Sequence, residues 1–173
     1  MIRRATPLDA DDIARLWESL VDYHYQLDAS LPQAAPDGGR RYALRLIDRM
    51  DDSHTRIFVA DEEGEIVGYV LAIIIDLAPE MFVQEYSGFL ADIFVEPDYR
   101  KRGIGRQLVD AVRQWYMECG VTHYEWYVAA NNPAGIAFWR SIGGRDILMR
   151  MRADLPPASS PSPVSEDSTE DVK

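Results

Sequence analysis

Apolar side chains recur at two different periods along this chain, and the change of period marks out its elements. Ile2 to Ala5 is a short strand candidate. Ile13, Leu16, Trp17, Leu20, Val21, His24 and Leu27 then fall at helical spacing, with Asp9 or Asp11 placed to cap the helix. The stretch from Leu31 to Gly39 carries two prolines and two glycines and breaks it. A second, shorter helix has Tyr42, Leu46, Ile47 and Met50 on one side and Arg41, Arg45 and Arg49 on the other. From Thr55 the pattern turns to strands: Thr55 to Asp61, a turn at Glu62-Glu63-Gly64-Glu65, and a β-branched run from Ile66 to Ile75 make a hairpin. After a loop from Asp76 to Ser87, Phe89 to Val95 is a strand that ends at Glu96-Pro97-Asp98. Gly103 to Cys119 is helical, Thr122 to Val128 a strand, and Pro133 to Ile142 a helix stopped by Gly143-Gly144. Ile147, Met149 and Met151 alternate as a last strand. Helices interspersed among these strands predict an α/β fold, a mixed, largely antiparallel central sheet flanked by helices.

Composition bounds this picture. The chain has 173 residues, 47% hydrophobic and 27% charged, enough for one well-packed domain. Eighteen Lys and Arg face 29 Asp and Glu, a net charge of -11. That field disfavours nucleic acid and favours cationic partners. One cysteine and three scattered histidines offer no disulfide and no metal-site spacing, so no metal is expected. The first residues lack an apolar leader, and the longest apolar run, Tyr69 to Ile75, falls short of the roughly 20 residues of a membrane span. A cytoplasmic protein with no membrane contact is the expectation. Cys119, at a helix end, reads as a core thiol with nothing nearby to activate it.

Composition breaks once, near Asp154. Residues 154–173 hold five acids and one lysine, a net -4 that leaves -7 for residues 1–153. With no aromatic residue and four prolines, this segment cannot offset its own ordering entropy. The expected organisation is one domain over 1–153 and a disordered acidic Pro/Ser-rich tail over 154–173. Truncation after Asp154 should therefore leave the melting temperature and cofactor affinity nearly unchanged. A several-fold fall in the Michaelis constant for the cofactor on truncation, seen only at low salt, would instead make the tail an internal competitor for a basic site.

The segment that carries chemistry runs from Asp92 to Leu108. An apolar strand enters a turn, two glycines open a helix, and Arg100, Lys101, Arg102 and Arg106 fall within seven residues. Glycine lets a backbone approach a ligand closely, and the first N–H groups of a helix have no internal acceptor. Together they make a cradle for a phosphate or pyrophosphate. The P-loop pattern is absent, because Arg106 and Gln107 follow Gly105; the dinucleotide fingerprint lacks its third glycine at Leu108.

This segment resembles the GNAT superfamily of acetyl-CoA-dependent N-acetyltransferases. Their Arg/Gln-x-x-Gly-x-Gly/Ala signature is met by Arg100, Gly103 and Gly105, and Val95-x-Pro97-x-Tyr99 before it is typical. A second signature follows at the expected distance, with Asn132, Gly135, Phe138, Trp139 and Gly143. The resemblance covers about residues 1–152 and implies the GNAT fold. It implies that Ile93, Phe94 and Val95 border the pantetheine arm, with the backbone of Ile93 and Val95 pairing to it. Arg100, Lys101, Arg102, Gly103, Ile104, Gly105 and Arg106 would hold the pyrophosphate, and Asn132 and Phe138 would flank the arm. Acetyl-CoA would be the co-substrate, with its thioester where the fourth and fifth strands splay. Two positions depart from the family. Trp139 stands where many members place a tyrosine acid, and Ala91 where polyamine-type members carry a glutamate base.

The candidate catalytic residues are Asp92, Trp139 and Glu125. Asp92 is expected on the strand face of Leu90 and Phe94, as base, amine anchor or a structural carboxylate. Glu125 shares the other face of its strand with Tyr127. An indole N–H can donate a hydrogen bond to a thiolate but not a proton. Tyr23 and His24, at the end of the first helix, and Glu85, with Glu80 in the loop before the fourth strand, are candidates to bind the acceptor. His24 could also serve as base. The expected reaction is direct attack of an amine of a small cationic molecule or peptide on the thioester in a ternary complex. The alternatives are a non-catalytic acyl-CoA-binding regulator and a transferase for a longer acyl group. A homodimer is a further possibility that the resemblance raises.

Overall fold

The computed structural model describes residues 1–75 and 86–155. The elements in order are β1 (Ile2–Arg4), α1 (Ala10–Leu27), α2 (Gly38–Arg49), β2 (Thr55–Glu62), β3 (Glu65–Ile75), β4 (Ser87–Val95), α3 (Ile104–Glu118), β5 (Tyr124–Glu125) and α4 (Pro133–Ser141). One sheet of order β1-β2-β3-β4-β5 runs through the middle, antiparallel except for the parallel β4–β5 pair. This is the mixed α/β arrangement that the pattern predicts.

Both faces of the sheet are buried, which explains why β3 reads as a continuous apolar run. Ile57, Val59, Ile66, Tyr69, Leu71 and Phe94 meet Ile13, Leu16 and Leu20 of α1 and Leu46 of α2. Ala60, Val67, Val70, Ala72 and Leu90 meet Leu108, Val109, Val112 and Trp115 of α3 and Trp139 of α4.

A β-bulge in β4 decides where its side chains go. Leu71 pairs with Asp92 but Ala72 pairs with Leu90, so Ala91 is an extra residue. An inserted residue reverses the inward–outward alternation downstream. Leu90 accordingly packs toward α3, while Phe94 packs toward α1 and α2. The expectation that Asp92 shares a face with both is thus corrected: Asp92 lies on the Phe94 side, where Tyr42 of α2 reaches it.

Three further expectations are corrected. The fifth strand is only Tyr124–Glu125, because the β4 ladder that supports it ends at Phe89. Residues 147–151 form no strand among the described residues, and their apolar side chains are exposed. Cys119 is exposed, not a core thiol, because the buried stripe of α3 ends at Trp115 and Tyr116. The tail beyond Leu155 and the loop residues Glu80 and Glu85 lie outside the described residues.

Near the N-terminus, buried Asp9 accepts two hydrogen bonds of 2.8 Å from the Arg3 guanidinium and one of 2.7 Å from the Thr6 amide. The Arg3 contact above all pulls its carboxyl from 3.8 down to about 2. A depressed carboxyl stabilises the fold above its unfolded pKa, and that stability is lost as pH falls through the folded value. Asp9→Asn should cost about 2 kcal/mol at neutral pH in urea denaturation. The gap to the parent protein should close as pH drops from 3.8 toward 2.

Candidate active site

The site is built on the edge of β4. Only Gly88 and Phe89 pair with β5, so from Leu90 to Val95 that edge has no neighbouring strand among the described residues. The Glu96 amide donates to Val67 in β3 at 2.9 Å, which fixes the alternation of the backbone groups before it. Ile93 and Val95 therefore direct their N–H and C=O groups to the open edge, as an added extended ligand requires. The Val95 carbonyl accepts from Arg100 Nε at 2.9 Å.

The chain next makes a short turn at Pro97–Tyr99 and enters α3 through two left-handed residues, Lys101 (φ 62°) and Gly103 (φ 83°). Left-handed residues alternating with others fold amides into an anion-binding concavity. The Gln107 amide reaches the Gly103 carbonyl at 3.0 Å and closes the first helical bond. The amides of Ile104, Gly105 and Arg106 precede it and have no intrahelical acceptor. A Cβ on Gly105 would meet only the Phe138 ring at 3.5 Å, so the cradle floor is open backbone.

The three arginines of this segment do not converge as the sequence suggests. Arg100 folds back across the end of β4, its guanidinium 5.2 Å from the Tyr23 ring and 5.3 Å from that of Phe94. Its amide is already bonded to the Pro97 carbonyl at 3.2 Å. Arg102 lies over Tyr99 and donates to the Asp98 carbonyl. Arg106 extends toward α4 and reaches the Ser141 carbonyl at 3.4 Å. Beside Arg100, a cleft of about 380 Å³ opens between α1 and the end of β4, lined by Asp22, Tyr23, Gln26, Phe94 and Glu96 among others.

Asn132 is buried and caps α4, its Oδ1 accepting from the Gly135 amide at 2.9 Å and from Tyr23 Oη at 3.2 Å. This arrangement requires glycine at 135, since a Cβ there would stand 2.6 Å from Asn132 Nδ2. Tyr23 thereby ties α1 to α4. Trp139 is 7% exposed and stacks on Trp126 at 4.3 Å, with Phe138 edge-on at 5.0 Å.

On the α1–α2 side, Tyr42 Oη donates to Asp92 Oδ2 at 2.7 Å. Tyr42 is itself clamped by a Trp17 ring stacked at 4.8 Å. The buried Tyr69 hydroxyl lies beside this pair, next to Tyr42. Burial pushes the Asp92 carboxyl above the usual carboxylate range, against the pull of Tyr42 and of nearby His24. Burial likewise moves His24 below its ordinary value, opposed by Asp92. Glu125 is exposed and sits opposite Phe89 in the ladder; Tyr127 packs edge-on to Phe89 at 5.5 Å. Asp92 and His24 are therefore near enough for each charge to act on the other, whereas Glu125 has no described contact with either.

Tyr42, Tyr69 and the Ala91 bulge escaped the sequence reading. Tyr42 stood in an apolar stripe and Tyr69 in an apolar strand, and only their hydroxyls hinted at a polar partner. Nothing local marks Ala91 as a bulge.

The sequence pattern of the acetyltransferase (GNAT) family matches residues 14–143, three-quarters of the chain, and the chain belongs to that family. It is 30% identical over 105 residues to L-ornithine N5-acetyltransferase NATA1 of Arabidopsis thaliana, a match covering 56% of this chain and 42% of the plant enzyme. It is 27% identical over 144 residues to an uncharacterized N-acetyltransferase of Archaeoglobus fulgidus, covering 81% of this chain and 89% of that one. Among solved structures, a mutant of the BH1408 protein from Bacillus halodurans superposes with a TM-score of 0.81 at 22% identity, over 90% of this chain and 99% of the other. The aminoglycoside N-acetyltransferase AAC(6')-Iy in complex with CoA gives 0.65 at 22%, over 88% and 95%. These structural likenesses speak to the fold. No described helix is long and apolar enough to cross a membrane.

Proposed function

We propose that this chain transfers an acetyl group from acetyl-CoA to an amine of a small cationic molecule or peptide by direct attack in a ternary complex. The observation that carries this reading is the unpaired edge of β4 running from a bulge beside Asp92 to the amide cradle at the start of α3. One end suits an anion and the other holds a base.

The residues fit the co-substrate in a specific division of labour. Ile93 and Val95 supply main-chain groups to an extended arm, once Arg100 releases the Val95 carbonyl. The amides of Gly103 to Arg106, with Lys101, Arg102 and Arg106 nearby, supply the cradle for the pyrophosphate. Acetyl-CoA brings an activated acyl group, and the chain's task is to orient an amine against it and remove its proton. Asp92, with one oxygen engaged by Tyr42, is the proposed base and amine anchor. A carboxyl whose pKa burial raises takes a proton better than an ordinary one. His24, whose pKa burial lowers against the pull of Asp92, is the second group that can relay the proton. Tyr23 borders the acceptor; Glu125 and Glu85 remain candidates on the outer rim.

The relatives support an amine acceptor: one is named for ornithine, another for thialysine, and structural neighbours for aminoglycosides. All of these acceptors are cationic, in keeping with the acidic body of this chain. The test is release of free thiol from acetyl-CoA across a panel of diamines, basic amino acids, aminoglycosides and peptides, with propionyl and succinyl thioesters alongside. Turnover with an amine supports the reading. Tight coenzyme A binding without turnover on any amine would favour a non-catalytic binding protein.

Trp139 bears on that choice. Its burial against Trp126 favours a packing role, so Trp139→Phe should keep most of the turnover. If the indole N–H held the leaving thiolate, the same change would lower kcat at least about tenfold, the equivalent of 1.4 kcal/mol.

A further inference from the structure

We propose that the cleft between the β1–β2 side of the sheet and α3 is a binding site for a monocarboxylate with an aromatic or aliphatic body, separate from the site at β4. Each element presents one face to this cleft. Arg4 stands directly opposite Phe58 in the β1–β2 ladder, and Arg56, two residues from Phe58, shares its face of β2. Ala111, Gln114, Trp115 and Glu118 recur at steps of three and four residues and so share one side of α3. Together these residues line a cleft of about 370 Å³, within the range of small-ligand pockets. None of them lines the cleft beside Arg100.

Two observations point to an anion. The first is the pair of arginines. The Arg56 guanidinium lies over the Trp115 ring, 5.2 Å from its centroid, and has no hydrogen bond or ion pair among the described residues. Burial, and after it the neighbouring Arg4 cation, hold Arg56 below its ordinary pKa. Arg4 gives one N–H to the Met50 carbonyl at 2.7 Å, which leaves its remaining donors for a ligand. Two neighbouring guanidiniums repel, and an anion shared by both turns that repulsion into attraction. The second observation is Trp115. It is 5% exposed and forms part of the cleft wall, and its Nε1–H is buried with no acceptor among the described residues. A buried donor left unpaired is costly, and a ligand oxygen supplies the acceptor it lacks.

The same walls select the kind of anion. Glu118, which accepts from Gln114 Nε2 at 2.9 Å, is the acid that lines the cleft, and its charge acts on Arg56. Two arginines against one carboxylate leave a single positive charge in excess. That excess matches one carboxylate and disfavours a dianion such as a phosphate monoester, which Glu118 would repel. A guanidinium fork meets a carboxylate through two parallel N–H···O bonds. Phe58, Ala111 and the Trp115 ring offer apolar cover to the rest of the ligand. A free organic acid and the C-terminal residue of a peptide share this chemistry. The inference does not depend on acetyl transfer or on the identity of the amine acceptor.

The test follows the indole N–H signals of the four tryptophans in the full, nitrogen-labelled chain, with that of Trp115 identified by its loss in Trp115→Phe. Titration with 3-phenylpropanoate should move the Trp115 signal saturably. Arg56→Gln and Arg4→Gln should each weaken that binding about tenfold. Glu118→Gln should tighten it and let inorganic phosphate bind as well, a gain that misfolding cannot produce. A short peptide ending in a free phenylalanine carboxylate is titrated alongside, with the amides of both probes as controls that should move nothing. Binding of the acid alone makes the ligand a small molecule; binding of the peptide as well makes it a chain end. Saturating coenzyme A should leave the titration unchanged. A Trp115 signal that the acid and the peptide leave in place would overturn the proposal. So would an affinity unaltered in folded Arg56→Gln, or displacement of the acid by coenzyme A.

Discussion

Gly105→Asp should abolish coenzyme A binding while the protein stays folded. The expectation follows from the position of Gly105 in the first turn of α3, on the floor of the amide cradle. Its Cβ would meet only Phe138 at 3.5 Å, an ordinary contact, and its φ is not among the left-handed ones. A carboxylate there favours the positive helix end by about 0.3–1 kcal/mol, so the melting temperature should hold or rise slightly. The same carboxylate occupies the place of the pyrophosphate, and like charges in close contact cost several kcal/mol. A loss of about 3 kcal/mol is more than a hundredfold in affinity. Gly105→Ala, with the same Cβ and no charge, should bind far better than the aspartate variant. Calorimetry that finds unchanged affinity for coenzyme A in folded Gly105→Asp would remove α3 from the binding site.

Asp92→Asn should lower kcat by about a hundredfold or more, within the range of a lost general base, with coenzyme A affinity unchanged. The change keeps the size of the side chain and can keep its contact with Tyr42, so the fold should tolerate it. Tyr42→Phe gives the companion result. The Tyr42 hydrogen bond favours the charged carboxylate, opposing the burial that raises its pKa. Without that bond the carboxyl rises further. Since the base acts only when ionised, the acid limb of the kcat/KM profile should move to higher pH. A profile that stays in place, with kcat of Asp92→Asn near that of the parent, would pass the role to His24. In that case His24→Ala should carry the loss.

Much of this was legible in the chain because it is local. The glycines and cations between Val95 and Arg106 announce a strand, a turn and a helix start within a dozen residues. Gly103 does adopt the left-handed conformation that such a turn needs. Asn132 before Pro133 announces a helix cap, and its side chain makes that bond. The acidic side of the site was less legible. Asp92 was visible as a costly carboxylate in an apolar strand, but its donor, Tyr42, is 50 residues away on a helix whose pattern shows only which face is buried.

What the sequence by itself determined is the set of elements through α4, their order, the buried faces of the helices and the place of the glycine turn that opens α3. Periodicity, turn residues and orphan amides act over a few residues and need no distant partner. What only the tertiary structure decided is where the side chains of β4 point, where the cations go and how far the last strands extend. The Ala91 bulge exists through register with β3, and it alone separates Leu90 from Phe94 and hands Asp92 to Tyr42. Arg100 leaves the cradle because two aromatic rings and the Val95 carbonyl lie within its reach. The alternation at residues 147–151 states a capacity to pair, but a strand exists only where another edge meets it, and the described part of a single chain supplies none.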